Sequence, residues 1–120
     1  MVPKLEGMGG MVSFQAKFSQ GLRERGYEIS FDLADRPYAT VLVIGGTRDL
    51  GGLIMARREG IPIVQRLNGM NWIHRKRRTG IRHYLRSEYG NWLLSVIRNR
   101  LATHIVYQSH FAHRWWDKVY

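Results

Sequence analysis

Three glycines in four residues, Gly7, Gly9 and Gly10, run directly into Met11, Phe14, Phe18 and Leu22, apolar residues at steps of three and four. That spacing places the four on one face of a helix. A glycine loop feeding a helix start leaves backbone N–H groups without intrahelical acceptors at the positive end of the helix dipole. Such a place suits a phosphate or another anion; a flexible turn before a core helix fits the same glycines. A second cluster is cationic. His74, Arg75, Lys76, Arg77 and Arg78, extended by Arg82, His83 and Arg86, lie in a stretch from 61 to 87 that holds no acid. Three readings compete for it: a solvated loop and helix start, a polybasic patch for anionic lipid with Trp72 and Ile73 dipping into the interface, and a nucleic-acid contact. The five histidines, His74, His83, His104, His110 and His113, show no metal-ligand spacing with nearby carboxylates, so no metal is expected.

The elements that must carry these residues alternate. Helix one is predicted over 12–25, with Gly26 at its end. Residues 27–33 alternate and are rich in strand formers, which predicts a strand. Thr40 to Ile44 is a continuous apolar run closed by Gly45 and Gly46, as in a buried parallel strand. A short helix around Leu50, Leu53 and Ile54, a strand over 61–67 and a polar basic stretch follow. The longest helix is expected to turn Leu85, Tyr89, Trp92, Leu93, Val96, Ile97 and Leu101 toward the core. His104 to Tyr107 reads as a strand, and Ser109 as the cap of a last helix whose inward residues are Phe111 and Trp115. Trp116 falls off that stripe.

This alternation predicts an α/β fold: a Rossmann-like parallel sheet with helices on both faces, in one domain spanning 1–120. Ligands of such sheets sit at the carboxyl ends of the strands. Residues 7–10, 45–48, 68–72 and 108–110 should converge there. The first strand is cut to the few residues before Gly7, and the last helix runs into the chain end, so a fragment of a longer protein is expected. No apolar run is long enough for a membrane span, there is no cysteine, and the start is not a signal peptide. The default is therefore cytoplasmic, and the basic segment adds the option of a peripheral position at the inner membrane face. A net charge of +10 on 120 residues favours anionic partners without choosing among them.

In order along the chain, Gly9-Gly10-Met11, the segment Leu22-Arg23-Glu24-Arg25-Gly26-Tyr27-Glu28-Ile29, the strand ending in Asn68-Gly69, and Ala102-Thr103-His104-Ile105-Val106-Tyr107-Gln108-Ser109 resemble the N-terminal domain of GT-B-type retaining glycosyltransferases. That large group includes sucrose synthases and phosphatidylinositol mannosyltransferases. The resemblance implies an acceptor-side half, inactive alone, that transfers sugar to a glycan or lipid-linked acceptor with a missing C-terminal Rossmann domain as partner. It implies a nucleotide-sugar donor in the full-length enzyme and no tightly bound cofactor. By position, Gly9 and Gly10 would face the donor diphosphate, and Asn68, Gly69, Met70 and Ser109 the acceptor or sugar. Asn68 stands where many members carry histidine; it can hydrogen-bond a sugar but cannot titrate near neutral pH, so no catalytic residue is assigned. The anionic-surface residues are Arg75, Lys76, Arg77, Arg78 and Arg82. A second resemblance competes: Gly45-Gly46-Thr47-Arg48-Asp49-Leu50-Gly51 is similar to the cofactor loop of short-chain dehydrogenases, with Asp49 in place of the middle glycine and without that family's Tyr-x-x-x-Lys pair. A basic nucleic-acid-binding module is the third alternative.

Overall fold

The computed structural model describes residues 1–7, 9–35, 37–67 and 80–119. Helix α1 (Gly10–Glu24) is followed by β1 (Val41–Ile44), α2 (Leu50–Arg58) and β2 (Ile63–Leu67). Helix α3 (Ile81–Val96) ends in a π-helical turn (Ile97–Leu101), and β3 (His104–Tyr107) and α4 (His110–Val119) complete the order. Within the described residues the sheet is parallel in the order β1-β2-β3, with Val41 opposite Ile63 and Val64 opposite His104. The sequence places apolar β-formers in β1 and β2, and both are largely buried.

Val2 adds a fourth position beside β1. Its N–H donates to Leu42 O at 2.9 Å, and Ile44 N–H donates to Val2 O at 2.8 Å, in a parallel bridge. The predicted first-strand stub is real. Its outer edge is closed by a side chain rather than a strand. The carboxamide of Gln15 accepts from Leu5 N–H and donates to Pro3 O, both at 2.8 Å. A carboxamide matches a peptide group in donors and acceptors, so Gln15 stands where a neighbouring strand's backbone would.

The two faces of the sheet are covered by different helices. Val2, Val41, Val43 and Ile63 pack against Leu53 and Ala56 of α2 and against Ile97 and Leu101 of the π turn. Leu67, on the same face, packs with Trp116 of α4. Each such apolar side chain contributes about 1.5–3 kcal/mol on full burial. On the opposite face α1 lies over the sheet: Ser19 Oγ meets Met1 Sδ at 3.5 Å and the Arg66 guanidinium sits 4.0 Å above the Phe14 ring. The connections that follow two neighbouring strands, the stub and β1, thus start out on opposite faces of the sheet. The topological switch point therefore lies between the stub and β1.

Four sequence expectations are corrected. Residues 27–33 form no strand. Met1 reaches this segment with one bond from its N-terminal ammonium to Ser30 O, 2.8 Å, but Pro3 has no N–H and Gln15 occupies the rest of that edge. In α1 the buried residues are Gln15 and Ser19, while Phe18 is exposed and stacks on Phe14, 5.3 Å between centroids. The helix is turned to serve the stub. In α3 the buried residues are Ser87, Asn91, Leu93 and Ser95, with Leu93 the first apolar one, while Leu85, Tyr89 and Trp92 are exposed. The cause is twofold: Ser87, Asn91 and Ser95, four residues apart, form the inward row and turn 85, 89 and 92 outward, and 16 helical residues with a π turn of 5 run about 30 Å against about 17 Å for a strand of 5. The start of α3 overhangs the carboxyl edge. In α4 the inward pair is Ala112 and Trp116, with Trp115 only half-buried; a small residue one turn before Trp116 lets the helix approach the sheet.

Substituting Gln15→Ala leaves Leu5 N–H and Pro3 C=O without their partner and should cost about 1–3 kcal/mol. Urea unfolding followed by circular dichroism reads this as a lower midpoint at unchanged slope. An unchanged midpoint would mean the carboxamide is not holding the stub.

Candidate functional site

The switch point has two glycine loops around it, each leading into a helix, and their chemistry differs. At α1 the cap position is Gly9, whose φ of 133° is open to glycine alone. Among the described residues no side chain caps this end, and no acid stands in the first turn. Ser13 N–H is already bonded to Gly9 O at 3.1 Å, so the amides of Gly10, Met11 and Val12 precede the intrahelical ladder. At α2, Asp49 fills the equivalent place. Its Oδ1 accepts from Gly52 N–H at 2.9 Å, and Thr47 Oγ1 accepts from Asp49 N–H at 3.3 Å. A Cβ on Gly52 would lie 2.6 Å from Asp49 Oδ2 and 2.8 Å from Leu33 Cδ1, so this glycine is what lets the carboxylate and the core close on the helix start. A carboxylate there satisfies the dipole and repels a pyrophosphate.

The loop after β1 is held firmly. Gly45 takes a φ of 74°, its N–H donates to Arg66 O at 2.8 Å, and its O accepts from Gln65 Nε2 at 2.8 Å. Gln65 is fully buried and donates a second time, to Leu94 O at 3.2 Å; its Oε1 has no partner among the described residues. A Cβ at Gly45 would meet Met11 Cε at 3.2 Å, and one at Gly46 would meet Leu94 Cδ2 at 2.9 Å. Met11, in the first turn of α1, thus reaches the loop after β1. Arg66 adds a cation: strand alternation turns it away from Gln65 and Leu67, onto the α1 face, over Phe14 and about one turn from the free helix end.

Of the sequence-predicted site residues, Gly9 and Gly10 stand at this point. Ser109 lies at the same edge beyond β3, two strands and therefore roughly 10 Å from β1. Its Oγ accepts from Ala112 N–H at 3.1 Å, the capping role expected of it. Arg82 lies in the first turn of α3, exposed. Asn68, Gly69, Met70, Arg75, Lys76, Arg77 and Arg78 lie outside the described residues. Gln65, Arg66 and Gln15 were not singled out by sequence. A polar residue inside the strand run 63–67 was the available signal for the first two, and the third carried none.

Among the described residues no group of three His, Cys, Asp or Glu side chains could hold a metal ion, and no helix is long and apolar enough to cross a membrane. His113 Nε2 pairs with Asp117 Oδ2 at 3.1 Å, and Asp117 also meets Arg98. Arg98 Nε donates to the Tyr107 hydroxyl at 2.9 Å, and this network ties α4 to β3 and the π turn. Comparison with protein-family models, with curated proteins and with solved structures returns no match. The fold is α/β and Rossmann-like: a parallel sheet with helices on both faces.

Removing the α2 cap by Asp49→Ala should destabilise the chain by about 0.5–2 kcal/mol. Asp49→Asn, which keeps an acceptor oxygen, should recover most of that loss in the same thermal melts. Equal losses in the two variants would contradict the capping role.

Proposed function

We propose that this chain is the acceptor-side half of a retaining, sugar-nucleotide-dependent glycosyltransferase of the GT-B type, acting on a glycan or lipid-linked acceptor. The observation that carries the reading is the contrast between the two helix starts at the switch point. The start of α1 is free of side-chain caps and acids, beside a held loop and Arg66. The start of α2 already bears the Asp49 carboxylate. An anionic ligand is favoured at the first and opposed at the second. The same contrast speaks against a dinucleotide on the loop 45–51. In this reading the amides after Gly9 and Gly10 face the donor diphosphate, and Asn68, Gly69, Met70 and Ser109 face the acceptor. A second Rossmann-like domain supplies most of the nucleotide-sugar site, and the chain works in the cytoplasm.

A site split between domains binds weakly through one half. Calorimetry of this chain with UDP or GDP should give a dissociation constant in the millimolar range, about 4 kcal/mol. Gly10→Asp places a carboxylate in the first turn of α1, at a position where a Cβ meets nothing within 4 Å. The variant should lose nucleotide binding while the helix end gains about 0.3–1 kcal/mol. Micromolar binding of NADPH, or nucleotide binding that survives Gly10→Asp, would overturn the reading.

A further inference from the structure

The overhanging start of α3 presents an apolar and aromatic stripe to solvent. Ile81 is 80% exposed, Leu85 61%, Tyr89 48% and Trp92 53%. Steps of three and four place all of them on one face, and Tyr84 borders it, 43% exposed. Tyr89 and Trp92 stack with centroids 6.1 Å apart, so the stripe is a continuous surface rather than scattered residues. Isolated exposed apolar residues need no partner; four aligned over three turns do. The same turns carry Arg82 and Arg86, both exposed, along one flank of the stripe. Glu88, the only acid of α3, is half-buried and engaged within the chain. In sequence the helix follows Arg75, Lys76, Arg77 and Arg78 on a chain of net charge +10.

We propose that this half of α3 is a docking surface for an anionic lipid bilayer, lying in the interface plane with Ile81, Leu85, Tyr89 and Trp92 seated at the headgroup boundary. Charge complementarity selects this occupant. An apolar stripe with Trp and Tyr, flanked by arginines, matches the pattern of helices that lie on anionic membranes. A protein partner would need acids to face Arg82 and Arg86, and a second copy of this chain would set those arginines against like charge. Because α3 runs antiparallel to the strands, its start lies at the carboxyl edge, the same end as Gly9, Gly10 and Gly45. Docking there would bring that edge to the bilayer surface. The inference does not rest on sugar transfer, and its test reads none.

The full chain is sedimented with vesicles of phosphatidylcholine mixed with phosphatidylglycerol, and with vesicles of phosphatidylcholine alone. It should pellet with the first and stay in solution with the second. Raising salt to about 1 M, where the Debye length is about 3 Å, should release it. The double variant Leu85→Ser/Trp92→Ser should partition at least about tenfold more weakly, and Arg82→Glu/Arg86→Glu should also bind more weakly. Val106→Ser, at an exposed apolar residue on β3, should bind as the parent does. Brominated lipid should quench tryptophan emission in the parent and far less in Trp92→Phe. All substituted side chains are exposed, so melting curves of these variants should match the parent's. Undiminished pelleting of Leu85→Ser/Trp92→Ser would overturn the proposal, as would equal binding to neutral vesicles. So would a parent that ignores vesicles and self-associates through the stripe, seen as a fall in molecular mass in the Leu85→Ser/Trp92→Ser variant. Displacement of the chain from vesicles by a single-stranded oligonucleotide at equal binding-site concentration would overturn it in favour of a nucleic-acid surface.

Discussion

The two hydrogen bonds from the Gln15 carboxamide to Pro3 and Leu5 are the contact on which the rest of the arrangement depends. A parallel sheet that begins with one paired residue has an unsatisfied edge, and buried backbone groups without partners are costly. Pro3 cannot donate to an outer strand, so a second strand has no regular edge to join. A side chain from α1 closes the gap instead. The cost is borne by α1, which turns its amides and hydroxyls inward and leaves Phe14 and Phe18 to stack at the surface. That rotation also brings Met11, in the first turn of the helix, to Gly45 at the carboxyl edge.

From this follows the difference between the two glycine loops. Both join a strand-like segment to a helix, and in sequence they look alike. One is finished by its own carboxylate; the other is not. Gly52 is needed because Asp49 and Leu33 close on it, and Gly45 because Met11 and Leu94 approach it. The glycines of the second loop thus serve packing and capping, whereas Gly9 and Gly10 have open space around them. Space beside amides that precede the intrahelical ladder is what an anion requires.

Strand and helix order was readable from periodicity wherever burial is one-sided or complete, as in Val41 to Ile44, Ile63 to Leu67 and His104 to Tyr107. The cap at Ser109 was readable from residue type. What failed were faces and edges. Alternation in 27–33 could not reveal that Pro3 and Gln15 had taken the edge it needed. Spacing in α3 found a true apolar stripe at 85, 89 and 92, but not that the polar row Ser87, Asn91 and Ser95 takes the inward side. Trp115 and Trp116 differ by one position, and the one that goes inward, Trp116, shares its buried face with Ala112 one turn earlier. The roles of Gln15 and Gln65 depend on backbone groups far away in sequence, which no local pattern encodes.

The central claim is that an anionic ligand meets this chain at the switch point between the stub and β1, on the free start of α1. Amide chemical-shift mapping during titration with UDP addresses it residue by residue and suits weak binding. The account requires the largest perturbations at Gly9, Gly10, Met11 and Val12, with smaller ones at Gly45 and Gly46. Perturbations centred on Gly51, Gly52 and Leu53 at the start of α2, or spread evenly over the basic surface, would contradict it.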